Sequence, residues 1–336
     1  MREEKLDARS GLFLAEPLDT WLTANHQDYA IPEAGGSSAR VFLMKTAAGK
    51  LPWDYEPAFK VMRHDKLAYA IPLFKEEYRI LGGLQGLHGL TPMLHSGFFK
   101  PLDGLAWPSE IAPLSKTMEN QGQASRMSGT LAIFEPDETD QVLEEFDERI
   151  ADGWLPFVIL ERRWEDNLYL VSDAGYTRGD FIHNLSMRQV LDIASQMVSI
   201  LGQAHARGAT YLDHKLLHYY WNDVREKVIM IDWNIGHWTP DDFKTEVQAA
   251  DMIQFSSRAL HHLFTGRQAP GTVAVGPNRP EDIANSPSHY KASYSYDVQK
   301  RLNQDEMAFL EQALDGAFKT PESMAESIAV LQRKRP

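Results

Sequence analysis

Asp213, Lys215 and Asp232 are the residues whose types and spacing best fit a chemical task. They lie in residues 205–233, which read HARGATYLDHKLLHYYWNDVREKVIMIDW. Two runs rich in aromatic and β-branched residues, Leu216–Trp221 and Lys227–Trp233, flank a turn at Asn222–Asp223 and predict a hairpin. One acid precedes the hairpin and the other closes it. A loop and hairpin of this kind can hold a base, a cation and a metal ligand close together. His214 and His218 lie four residues apart, a zinc-pair spacing only on a helix, and this stretch reads as loop. Lys60 is a further candidate, inside the apolar run Pro57–Met62. An ammonium there either points to solvent from an edge strand or needs a partner, because burial without one is costly.

The elements that must position these residues are partly legible. Ser186–Arg207 predicts an amphipathic helix capped by Ser186, with Val190, Leu191, Ala194, Met197, Val198 and Leu201 on its apolar side and Gly208 ending it. Leu73–Leu81 predicts a helix with Phe74, Tyr78 and Leu81 on one face. Leu155–Glu161 reads as a buried strand ending in an acid. Residues 34–44 read as a small-residue loop around Gly36 followed by an alternating strand through Val41. Such a loop lets backbone N–H groups approach phosphates, although most Gly-Gly pairs are turns. The apolar residues of positions 1–25 suggest a docked packing element, helix or strand. Residues 100–153 are long for a connection and contain a polar stretch, Ser115–Ser128, and an acidic amphipathic segment from Pro136 to Phe146. Two closing helices are predicted at Gln304–Phe318 and Pro321–Leu331.

The 336 residues suffice for one large domain or two lobes, and 43% are apolar. A net charge of −13 argues against a nucleic-acid partner. The absence of cysteine excludes disulfides and thiolate metal sites. No apolar run is long enough to span a membrane, and the N-terminus lacks a signal-peptide core, so no membrane partner and a cytoplasmic location are expected.

The order and spacing of these residues resemble the protein kinase family. Its catalytic loop reads His-Arg-Asp, with Lys two residues on and Asn three after that, and its metal-binding segment reads Asp-Phe-Gly. Here Tyr211-Leu212-Asp213 is followed by Lys215, His218 stands at the Asn position, and the last triplet is Asp232-Trp233-Asn234. Ala58-Phe59-Lys60 resembles the family's Ala-x-Lys, and Glu77, adjacent to Glu76, precedes an apolar run as the partner glutamate of that Lys does. Aligned on Val41, the glycine-rich loop keeps only Gly36. Asp251 fits the acid that braces the catalytic loop, and Leu263-Phe264-Thr265-Gly266 the end of its helix. Leu212 replaces the family's arginine, no Ala-Pro-Glu is present, and the interval from Asp232 to Asp251 is about half the usual span.

The resemblance implies an α+β, two-lobed protein kinase-like fold: a small β-rich N-lobe with one key helix, and a larger, mainly helical C-lobe. The expected boundaries are an N-terminal extension at 1–28, the N-lobe at 29–161 with an insertion at about 100–153, and the C-lobe at 162–336. It implies ATP and magnesium, as one ion or two, in the interlobe cleft. Gly36, Val41, Ala58, Lys60, Glu77, Leu160 (as gatekeeper) and Glu161 (at the hinge) would bind nucleotide. A competing hinge assignment uses Asn167–Asp173, which otherwise reads as a short helix after the hinge. Asp213 and Lys215 would be catalytic, and Asp232, with His218, would hold metal, although imidazole is a poor magnesium ligand. Two functional classes remain open: a divergent kinase acting on a Ser/Thr or small-molecule hydroxyl, and a pseudokinase that senses nucleotide or scaffolds an unknown protein or small-molecule partner.

Overall fold

The computed structural model describes residues 2–7, 14–17, 38–45, 57–63, 67–101, 128–161, 166–167, 185–222, 224–239, 245–272 and 287–335. Gly36, the polar stretch up to residue 127 and most of the 167–173 segment lie outside them. The chain separates into two compact units, Met1–Gln85 with Pro92–Arg162, and Gly86–Thr91 with Arg163–Pro336.

The first unit is built on an antiparallel sheet. Its strands are β1 (Arg2–Asp7), β2 (Leu14–Pro17), β3 (Ala39–Lys45), β4 (Pro57–Met62), β5 (Met93–Pro101), β6 (Ser128–Phe134) and β7 (Leu155–Glu161), in the order β1-β6-β5-β7-β4-β3-β2. The N-terminal residues thus supply strands at both edges. β4 is interior, paired with β3 and β7, with Lys60 opposite Val41 on one side and Val158 on the other. That register removes the edge-strand reading of Lys60. Ala58 pairs with Leu160, and Glu161 lies at the end of β7 opposite Pro57.

Helix α1 (Leu67–Gly83) begins six residues earlier than expected and continues through Pro72. Proline lacks an N–H and usually interrupts a helix, yet Pro72 lies within the first turns of α1. Tyr78 is fully buried, and its hydroxyl donates toward the Gly97 and Phe157 carbonyls at 2.7 and 2.8 Å, tying α1 to β5 and β7.

The expected insertion contributes a second helix, α2 (Thr139–Ala151), where one was anticipated. Phe146 on α2 meets the rings of Tyr78 and Phe98, each at 5.8 Å. β6, from the same insertion, was not anticipated. Its four apolar residues are consecutive and show no alternation, so periodicity does not mark them as a strand.

The second unit is mainly helical. Two-residue β8 (Asp166–Asn167) precedes α3 (Met187–His205) and replaces the start of the helix expected there. Ser186 and Gln189 form a reciprocal capping box on α3. Then come β9 (Ala209–Thr210), a 3₁₀ turn (Leu216–His218), β10 (Tyr219–Asn222), β11 (Lys227–Met230) and β12 (His237–Trp238). The hairpin β10–β11 is shorter than its sequence runs suggest, because residues 216–218 turn and residues 231–236 leave the ladder. Leu90 and Thr91 join β11 through backbone bonds and not β5.

α4 (Thr245–Gln254) runs into a π-helical segment (Phe255–Leu260) and α5 (His261–Thr265), which ends at Gly266. α6 (Tyr296–Arg301), α7 (Gln304–Leu314) and α8 (Pro321–Lys334) complete the unit, with α8 packed along α3. Among the described residues no helix is long and apolar enough to cross a membrane.

Candidate functional site

In the first unit, the Lys60 ammonium bonds Glu77 Oε1 at 2.7 Å, and both residues are buried. Strand β4 presents the lysine and α1 presents the acid. Helical rotation separates the two adjacent glutamates: Glu76 pairs with Arg79 one turn along at 3.1 Å. A buried ammonium held by one carboxylate is a preformed cation for anionic oxygens.

In the second unit, the loop after β9 is organised by Asp251, which is fully buried on α4. Its Oδ1 accepts from the Leu212 N–H and from His214 Nε2, both at 2.7 Å. Its Oδ2 accepts from the Tyr211 N–H at 3.1 Å and His205 Nε2 at 2.7 Å. Burial alone would raise the Asp251 pKa, but the attraction of His214 and the bonds from both histidines outweigh it and hold the carboxyl well below the usual range. The network also settles the two candidate histidines. His214 has its ring nitrogens on Asp251 and the Tyr219 hydroxyl, so it forms no metal pair with His218.

Leu212, held by this clamp, adopts φ +63°, and Asp232 adopts φ +62°. Left-handed backbone at residues other than glycine costs on the order of 1–3 kcal/mol and gathers where a site needs it. Between these strained positions lie the residues the sequence singled out. Asp213 is 5% exposed, with Oδ2 2.8 Å from Lys215 Nζ and Oδ1 3.2 Å from an Arg258 guanidinium nitrogen. Burial pushes its pKa up, but His218, Lys215 and Arg258 together hold it below the ordinary carboxylate value. His218 is shifted down, chiefly by burial, with Asp213 and Asp232 opposing. Lys215 and Arg258, both permanent cations, each hold one Asp213 oxygen and favour its ionised form.

His218 Nε2 lies 3.4 Å from Asp232 Oδ2, and one ligand atom from each of Asp213, His218 and Asp232 falls within 4.8 Å of the others. Among the described residues this is the set that could hold a divalent cation. The two carboxylates suit the oxygen preference of magnesium, but the imidazole does not. The mixed set is better matched to a first-row ion that accepts both donors. Trp233, next to Asp232, is buried with its ring 4.8 Å from that of Tyr211, and Asn234 is buried beside it.

Three contributors were not singled out from sequence: Arg258, His205 and Tyr211. Arg258 carried a usable signal. It lies seven residues after Asp251, the spacing at which a regular helix returns to one face, although a π-helical segment carries it here. His205 ends the apolar face of α3 and looks like ordinary core.

These elements define a protein kinase-like α+β fold. Three solved structures with which the chain aligns are of the PknI kinase domain of Mycobacterium tuberculosis. The unaltered domain aligns at 13% identity with TM-score 0.50, covering 88% of this chain and 93% of that one. A single mutant of the domain aligns at 14% and 0.50, and a double mutant at 12% and 0.51, each covering 89% of this chain. At such identity the likeness establishes the fold alone. No protein-family model and no curated protein sequence matches the chain.

Proposed function

We propose that this protein binds ATP with a divalent cation and transfers the terminal phosphoryl group to a hydroxyl, on a Ser/Thr side chain or a small molecule. The observation that carries this reading is the convergence of Asp213, Lys215, His218 and Asp232 on one strained loop. Phosphoryl transfer depends mainly on positioning and charge neutralisation, which such a set supplies. Lys60, fixed by Glu77, is suited to nucleotide phosphates. Val41, Ala58, Leu160 and Glu161 fill the nucleotide-contacting positions of the kinase pattern, with Gly36 at its loop. Ionised Asp213 is suited to accept or orient the substrate hydroxyl, while Lys215 offsets charge on the transferred group. A cation on Asp232 and His218 would neutralise phosphate oxygens. The protein is read as cytoplasmic, with nucleotide as its first partner and neither nucleic acid nor membrane among them.

One observation favours a pseudokinase reading. Arg258 and Lys215 each hold one oxygen of Asp213, which lowers its ability to take a proton. The two readings separate by titrating ATP with Mg²⁺ or Mn²⁺ into wild type, Lys60→Ala and Asp232→Asn, and assaying phosphoryl transfer in parallel. The kinase reading expects turnover that is lost with Asp213→Ala. Binding without turnover selects the pseudokinase, and turnover unaffected by Asp213→Ala overturns the role given to that residue. Absence of ATP binding leaves only a scaffold.

A further inference from the structure

We propose that His218 is a metal ligand through Nε2 and turns the cation preference of this site from magnesium toward first-row divalent ions that accept imidazole, of which Mn²⁺ is the probe. The inference rests on the kinase-like reading above for the site's purpose, but its argument is geometric.

The hydrogen-bond pattern assigns the ring tautomer. His218 Nδ1 lies 2.7 Å from the Tyr211 hydroxyl and 3.1 Å from the Asp213 carbonyl oxygen. The carbonyl can only accept. The Tyr211 hydroxyl has one proton, and at 2.7 Å it gives that proton to the Ile231 carbonyl. Both neighbours of Nδ1 are therefore acceptors, and Nδ1 carries the hydrogen. The nitrogen left to coordinate is Nε2, and it faces Asp232 Oδ2 at 3.4 Å.

A lone pair on Nε2 and a carboxylate oxygen at that separation repel each other unless a cation lies between them. Nδ1–H held by backbone and hydroxyl oxygens is also the arrangement that orients a metal-binding histidine. In the third member of the cluster, Asp213, Lys215 and Arg258 each hold one oxygen, whereas His218 Nε2 faces Asp232 Oδ2 directly, so these two atoms are the principal donor pair of the proposed site. A pair of one imidazole and one carboxylate is a poor shell for magnesium and a good one for Mn²⁺, Co²⁺ or Zn²⁺.

The test is electron spin-echo spectroscopy of Mn²⁺ bound to the full chain without nucleotide, so that every coordinated nitrogen comes from protein. The expected result is nitrogen modulation from one imidazole, abolished in His218→Asn. Mn²⁺ affinity should fall by at least about tenfold in that variant while Mg²⁺ affinity is retained or improved. Tyr211→Phe, which removes an oxygen from around Nδ1, should weaken Mn²⁺ by about tenfold and keep the nitrogen signal. Bound Mn²⁺ with no nitrogen modulation in the wild type overturns the inference whether or not any variant folds. It leaves the kinase reading standing. An unchanged Mn²⁺-to-Mg²⁺ ratio in His218→Asn overturns it as well. Loss of ATP binding with the nitrogen signal intact would instead refute the kinase reading and keep the metal ligand.

Discussion

Replacing Asp251 is the most informative perturbation of this fold, because four donors converge on one buried carboxylate. Asp251→Ala leaves the Tyr211 and Leu212 amides and two imidazoles without their acceptor. Each buried donor stripped of its partner costs roughly 1–3 kcal/mol. The two backbone amides cannot adapt, whereas each imidazole can exchange tautomers, so the total is about 2–6 kcal/mol. Leu212 would also lose the bond that holds it at φ +63°. Against a typical domain stability of about 5–15 kcal/mol, this brings the second unit close to unfolding.

Asp251→Asn keeps one accepting oxygen. His205 can present its Nε2 lone pair to the new amide, so the principal loss is a single backbone bond, about 1–3 kcal/mol. The assays are urea unfolding and amide hydrogen exchange, the second reporting on Tyr211 and Leu212 directly. Because the Asp251 carboxyl is held below its ordinary value of 3.8, its stabilisation is complete above that pH and is lost only as the pH falls further. The wild type should show that acid limb and Asp251→Asn should lack it. A loss under about 1 kcal/mol for Asp251→Ala, or an asparagine variant no better than alanine, would refute the clamp as the organiser of the loop.

Other consequences can be checked on the same footing. His262 is 4% exposed, and burial, with His261 beside it, pushes its pKa from 6.5 to about 4. Between those values the unfolded chain takes a proton that the folded chain refuses, so stability falls by about 3 kcal/mol as pH drops through the window. His262→Gln should flatten the pH dependence measured by urea titration there, and an unchanged slope would contradict the assignment. Gly97 has φ +153°, and a Cβ on it would sit 1.9 Å from the Ala132 carbonyl oxygen. Gly97→Ala should therefore break the β5–β6 pairing and cost at least about 3 kcal/mol in thermal or urea unfolding. A near-neutral result would mean that the two strands are not paired there.

What could be read ahead of the structure was local or periodic. Ser186 declares the start of α3 because a side-chain cap acts within the first turn, and the structure adds Gln189 as its reciprocal partner. The apolar run around Lys60 announces a strand, and two aromatic runs announce the hairpin, because side-chain period reports which face meets the core. The kinase-like order of Lys60, Asp213, Lys215, Asp232 and Asp251 was likewise visible as residue type and spacing. β6 was not, since its pairing partners lie far off in the chain and its own apolar run is too short to speak for itself.

The sequence by itself determined the inventory: which chemical groups exist, their order, and the elements that carry them. Tertiary structure decided their partners. Helical rotation chose Glu77 over Glu76 for Lys60. Packing of α4 against the loop sent His214 to Asp251, while His218 faces Asp232. The π-helical segment delivered Arg258 to Asp213 across 45 residues of chain. The physical reason is the same in each case. Charge pairing and hydrogen-bond roles depend on separations of a few ångströms, and only the packing of distant elements sets those separations.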